Sequence, residues 1–192
     1  MTGTLTDPHL ADLLARVEGV RKDTERLCGG LSAEQIAWKP APGRWSILEC
    51  LDHLAVANDF YLPRARASVD IARAQRLERR KPYEPSWKGR WWIKIVDPDG
   101  TARFPAPKLF RPDRQPAPDR WRLFLEQQST LASILRDADG LDLNEARMTH
   151  PLNRFLRFSL GDCLTAVILH EQRHVRQAQR VRADEPPHRR PA

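Results

Sequence analysis

His170 and His174 stand four residues apart in LTAVILHEQRHVRQAQRV, residues 164–181. In a helix that spacing puts both imidazoles on one face, one turn apart. A neutral imidazole offers a lone pair to a metal ion, and two at this spacing suit a single cation. The pair interrupts a stripe of Leu160, Leu164, Val167, Ala178 and Val181 that is otherwise apolar. Two readings stay open from the pair alone: buried histidines satisfied by core hydrogen bonds, or metal ligands. Protonating both at such short range would be costly, and a divalent cation removes that cost.

His53 adds a third imidazole on another helical stretch, where Cys50, Ala57 and Phe60 share its face. If the helices pack as neighbours, His53 can meet the pair. Three imidazoles with open positions make a reactive site for zinc or a similar ion. Such an ion lowers the pKa of a coordinated water or thiol. His150 is a weaker candidate ligand, and His9 and His188 lie near the chain ends.

The segment also spells H-E-x-x-H, the pattern of zinc metalloproteases. The third ligand of that class is missing. VRQAQRV follows His174, so the extended H-x-x-G-x-x-H form is absent, and only Pro- and Arg-rich sequence remains. The protease reading is set aside. Glu171 is then a candidate general base or ligand-supporting group, or else a solvated helix residue.

These residues need helices to hold them. Asp7 and Pro8 open a first helix over 7–28, with Leu10, Leu13, Val17, Val20 and Leu27 at helical spacing. Ser32 caps a single turn. Ser46 with Glu49 forms a capping box for a second long helix, in which Pro63 predicts a kink. Trp121, Phe124, Leu125, Gln128, Leu131 and Leu135 pattern a third helix over 118–138, and Ser159 with Asp162 opens a fourth that runs to about 183. Residues 81–117, rich in Pro and Trp, read as a long loop with Trp87, Trp91 and Trp92 packed over the body; residues 141–158 read as irregular, without a convincing strand. The expected fold is all-α, a four-helix bundle with a long loop between helices two and three. One domain spans 1–183, and 184–192 form a disordered basic tail.

Composition narrows the function classes. The chain has 192 residues, 30% charged and 41% hydrophobic, with no apolar run of membrane-spanning length. No secretory signal precedes the first helix, and Cys28, Cys50 and Cys163 form no C-x-x-C, so a cytoplasmic protein with reduced thiols is expected. The net charge of +7 raises nucleic acid as a partner. However, residues 63–122 hold 16 of the 32 Lys and Arg but 7 of the 25 Asp and Glu, so the excess is not a stripe on one recognition helix. Nucleic acid is not the expected partner.

Three stretches in order carry a family resemblance. LSAEQIAWKPAPGRWSILECLDHL ends in His53, FPAPKLFRP precedes the third helix, and THPLNRFLRFSLGDCLTAVILHEQRHVRQAQRV carries His170, His174 and Gln177. Together they resemble the DinB-like (DinB/YfiT) superfamily of bacterial four-helix bundles, over about residues 8–182. The resemblance implies a divalent metal, zinc or nickel, held by His53, His170 and His174, and frequent homodimers. It also implies metal-dependent transferases and isomerases that use low-molecular-weight thiols such as mycothiol, bacillithiol or glutathione. The NRFLRF stretch replaces a glycine that often follows the H-P segment in the family, a departure at the pocket entrance.

The expected activity is thiol-dependent S-transfer to small electrophiles. The loop's Arg and Trp residues are candidates to gate the pocket or bind the thiol's carboxylates. The alternatives are hydrolysis by metal-bound hydroxide, with Glu171 as base, and a non-catalytic metal-binding stress-response protein.

Overall fold

The structure is a computed structural model and describes residues 5–101 and 105–185. Four long helices form the body: α1 (Pro8–Cys28), α3 (Ile47–Ala74), α5 (Arg120–Asp137) and α6 (Leu160–Asp184). A short α2 (Ala33–Ala37) precedes α3, and α4 (Trp87–Val96) lies between α3 and α5. Helices α3 and α1 each pack against both α5 and α6, so α1 and α3 sit on opposite corners of a four-helix bundle.

The caps foreseen from the sequence are formed. Asp7 accepts from the backbone N–H groups of His9 and Leu10. Ser32 and Ser46 each complete a reciprocal capping box, with Gln35 and Glu49. Ser159 accepts from Asp162 N–H. Helix α3 runs through Pro63 as one 28-residue element.

Two segments differ from expectation. The stretch 81–117 holds the ten-residue α4 and a 3₁₀ turn at Lys108–Phe110. Helix α4 buries only Gly89, Trp92 and Val96, while Trp87 is 71% and Trp91 64% exposed. Its apolar face is three residues wide at i, i+3 and i+7, too short a run to stand out beside Pro and Gly. The second difference is a small antiparallel hairpin, β1 (Arg147–Thr149) with β2 (Arg157–Ser159), in register Met148 opposite Phe158. Three-residue strands carry almost no periodic signal.

Helix α4 is pinned to the start of α6 by Asp162, which is fully buried. Asp162 accepts from Tyr83 Oη at 2.9 Å, Ser86 N at 3.2 Å and Ser86 Oγ at 2.7 Å. Gly89 lies so close that a β-carbon there would overlap the Asp162 carboxylate.

The apolar interior falls into two clusters divided by a polar layer. On α3 the division lies between Leu54 and Tyr61, on α5 between Phe124 and Leu131, and on α6 between Ile168 and Val175. Asn58, Gln128 and Glu171 occupy that level, all buried. Cys28, Cys50 and Cys163 are free and buried, and burial raises each thiol's pKa. No helix among the described residues is long and apolar enough to cross a membrane. Helix α6 extends through Asp184 and Glu185 is buried; residues 186–192 of the expected tail lie outside the described residues.

Candidate metal centre

Helices α3 and α6 bring His53, His170 and His174 together. One nitrogen from each lies within 4.8 Å of the others, the one such cluster of three among the described residues. His53 Nε2 is 3.1 Å from His170 Nε2. The three rings meet edge to face, with centroids 4.6–5.0 Å apart.

The outer ring nitrogens of His53 and His174 are held. His53 Nδ1 donates to the Phe110 carbonyl at 2.5 Å, and His174 Nδ1 donates to Gln177 Oε1 at 3.1 Å. Donation from Nδ1 fixes the tautomer that leaves Nε2 with its lone pair, the arrangement of metal-binding histidines. The Phe110 carbonyl is itself positioned through the neighbour of His53. Asp52, 1% exposed, accepts from Asp113 N at 2.8 Å and from Arg120 Nε at 2.6 Å. It thereby ties the strap that carries Phe110 to α3 and α5.

Electrostatics point the same way. Burial lowers the pKa of all three histidines. His170 is pushed further down by His174, His53 and Arg173; His174, also beside His53 and Arg173, falls to about 3. All three are neutral near pH 7 and available as ligands. Three neutral imidazoles converging without a carboxylate fit a borderline cation such as zinc or nickel. In a tetrahedral zinc site, ligand nitrogens about 2.0–2.1 Å from the ion stand roughly 3.4 Å from one another, close to the separation of His53 and His170.

The cluster opens into a cavity of about 1350 Å³ walled by α3, α4, α6 and the strap residues within 98–101 and 105–114. Trp45, just before α3, lies against His53 and His174 at centroid distances of 5.0 and 5.8 Å. The floor beyond the histidines includes Ala57, Tyr61, Trp92, Phe110 and Val167; Arg44, Arg111, Arg114 and Arg180 line the wall as exposed residues.

Glu171 is not on this wall. It is fully buried in the polar layer, where Oε1 accepts from Asn58 Nδ2 at 2.8 Å and Gln128 Nε2 at 3.1 Å. Burial raises its pKa to about 7 against the lowering effect of those two bonds. The solvated reading of Glu171 is therefore corrected, because its turn of α6 faces α3 and α5. His150 stands apart from the triad and bonds Tyr61 instead.

Sequence reasoning did not single out Trp45, Asp52, Tyr61 or the Phe110 carbonyl. Tyr61 was legible in principle, since His53, Ala57 and Tyr61 follow at i, i+4 and i+8 on one helix face. It is Tyr61, not Phe60, that lines the cavity. A backbone carbonyl from a distant strap leaves no mark in the sequence.

Comparison with known proteins agrees with this fold. The profile of the DinB superfamily matches residues 16–178. A solved structure of YfiT from Bacillus subtilis, described as a probable metal-dependent hydrolase with an unusual four-helix bundle topology, is similar with a TM-score of 0.59. The sequences share 14% identity, and the alignment covers 94% of this chain and 90% of that one. The search of curated proteins gave no match. The chain belongs to the DinB superfamily.

Proposed function

We propose that this protein is a divalent-metal-dependent enzyme that joins a low-molecular-weight thiol to a small electrophile. The observation that carries the proposal is the convergence of His53, His170 and His174 on the wall of a cavity of about 1350 Å³. These three residues would hold zinc or nickel, and the ion would lower the pKa of a thiol ligand so that it binds as thiolate. A thiolate is its own nucleophile and needs no general base, consistent with the burial of Glu171 away from the cavity. Arg44, Arg111, Arg114 and Arg180 supply cationic groups for the carboxylates of thiols such as glutathione or bacillithiol. Trp45 shields the triad from one side.

Hydrolysis of a small ester or amide by an activated water is the second reading, favoured by the description of YfiT as a probable hydrolase. Two assays on zinc- and nickel-loaded protein separate them. The first mixes 1-chloro-2,4-dinitrobenzene with glutathione, bacillithiol or mycothiol; thioether forms as the carbon–chlorine bond breaks, releasing chloride and a proton. The second follows 4-nitrophenyl acetate without thiol. Turnover only with thiol supports S-transfer, and turnover only of the ester supports hydrolysis. No turnover in either assay overturns the enzyme reading and leaves a metal-binding protein.

A further inference from the structure

Tyr61 lies two turns beyond His53 on α3, roughly 12 Å along the helix axis at about 1.5 Å per residue. It is 7% exposed and lines the same cavity. Its hydroxyl is 3.0 Å from His150 Nε2. The direction of that bond follows from the other ring nitrogen. His150 Nδ1 accepts from the backbone N–H of Leu152 at 3.2 Å, so it carries no hydrogen. Burial, reinforced by Arg64, lowers the His150 pKa and favours the neutral ring. The single ring hydrogen is then on Nε2 and is donated to Tyr61 Oη. Tyr61 is thus an acceptor toward His150, and its own O–H hydrogen is left to donate. No protein acceptor takes it among the described residues. Two aromatic rings that also line the cavity flank the Tyr61 ring, Trp92 at 5.9 Å and Phe110 at 5.6 Å between centroids.

We propose that Tyr61, oriented by His150, is a second binding pole of the cavity, which takes the carbonyl or carboxylate oxygen of a ligand with a flat apolar body. Trp92 and Phe110 hold the body, and the Tyr61 hydroxyl donates to the oxygen. His150 acts as a positioning residue, since it sets which way the hydroxyl hydrogen points. The pole is built from residues outside the histidine triad and stands whether or not thiol transfer is the reaction.

Fluorine NMR titration of the full-length, metal-loaded protein tests it with three probes. 4-Fluoroacetophenone offers a carbonyl, 4-fluorobenzoate a carboxylate, and 4-fluorotoluene no oxygen. Tyr61→Phe keeps the ring and removes the donor. The expected result is a loss of about five- to tenfold in affinity for the carbonyl probe, the carboxylate probe or both, with 4-fluorotoluene unchanged. Which of the two loses more identifies the oxygen that the site prefers. His150→Leu should weaken the same probe, whereas His150→Gln, whose amide still donates, should restore it. Equal binding of both oxygen probes by wild type and Tyr61→Phe overturns the proposal, as does failure of wild type to bind either. If Tyr61→Phe does not fold by circular dichroism, equal binding by His150→Leu and His150→Gln overturns it instead. A failure of thiol turnover leaves these readouts untouched.

Discussion

His53 Nε2 and His170 Nε2 stand 3.1 Å apart although 117 residues separate them in the chain. One comes from α3 and the other from α6, two helices that pack directly against each other. Each of His53→Ala, His170→Ala and His174→Ala should lower metal affinity by at least about tenfold, read by elemental analysis after dialysis. Chelation of the wild-type ion should lower the melting temperature. Unchanged metal content in all three variants would show that the triad is not a metal site.

Asp52 supports His53 indirectly. Its carboxylate ties Arg120 and the backbone of Asp113, and so places the Phe110 carbonyl on His53 Nδ1. Asp52→Asn should cost about 1–3 kcal/mol in denaturant titration, less than a fully buried ion pair because Arg120 is about one-third exposed. Metal affinity measured against a competing chelator should fall about tenfold. A variant that loses stability while its metal affinity is unchanged would detach the strap from the metal centre.

Glu171 separates a structural from a catalytic reading of H-E-x-x-H. Glu171→Gln retains an acceptor for Asn58 and Gln128 and should change stability by less than about 1 kcal/mol. Glu171→Ala strands both amides beside a void and should cost about 2–4 kcal/mol. Turnover, in whichever assay detects it, should survive Glu171→Gln. Abolished turnover with intact metal content would return Glu171 to the chemistry.

Gly89 makes room for the carboxylate that anchors α4. Gly89→Ala drives a methyl group into Asp162 and should destabilise the protein by about 1–3 kcal/mol. The added exposure should appear as faster proteolysis within 81–101, since α4 loses its hold on α6. Wild-type stability and cleavage rate would show that Asp162 tolerates the displacement.

His150 gives a pH dependence with a definite sign. Its pKa lies below the usual 6.5 because of burial first and Arg64 second. As pH falls through 6.5 the unfolded chain takes up a proton that the folded protein resists, so stability is lost on the acid side. His150→Gln lacks this titration. The stability difference between the two proteins should therefore shift against wild type below pH 6.5 and stay flat above it. A pH-independent difference would mean that His150 titrates alike in both states.

Much of the bundle was legible because its signals are local. Ser46 with Glu49 and Ser159 with Asp162 mark the starts of α3 and α6 three residues apart, and the apolar stripe of α6 repeats over about six turns. Helix α4 and the hairpin were not legible. Ser86 caps α4, yet its buried face is Gly89, Trp92 and Val96 alone, and it holds its place through Asp162, more than 60 residues away. The Met148–Phe158 pair likewise has meaning only against the body it covers.

The sequence by itself determined the four long helices, the caps of α1, α3 and α6, and the one-turn spacing of His170 and His174, since each depends on residues within a turn or two. Only the tertiary structure decided what those residues face. It set His53 against the pair, aimed the Phe110 carbonyl at Nδ1, turned Glu171 into the polar layer and joined Tyr61 to His150. Adjacent positions on a helix point about 100° apart, so His170 and Glu171 part company as soon as their helix is packed. Which of them meets the cavity depends on the neighbouring helices, and no local pattern encodes that choice.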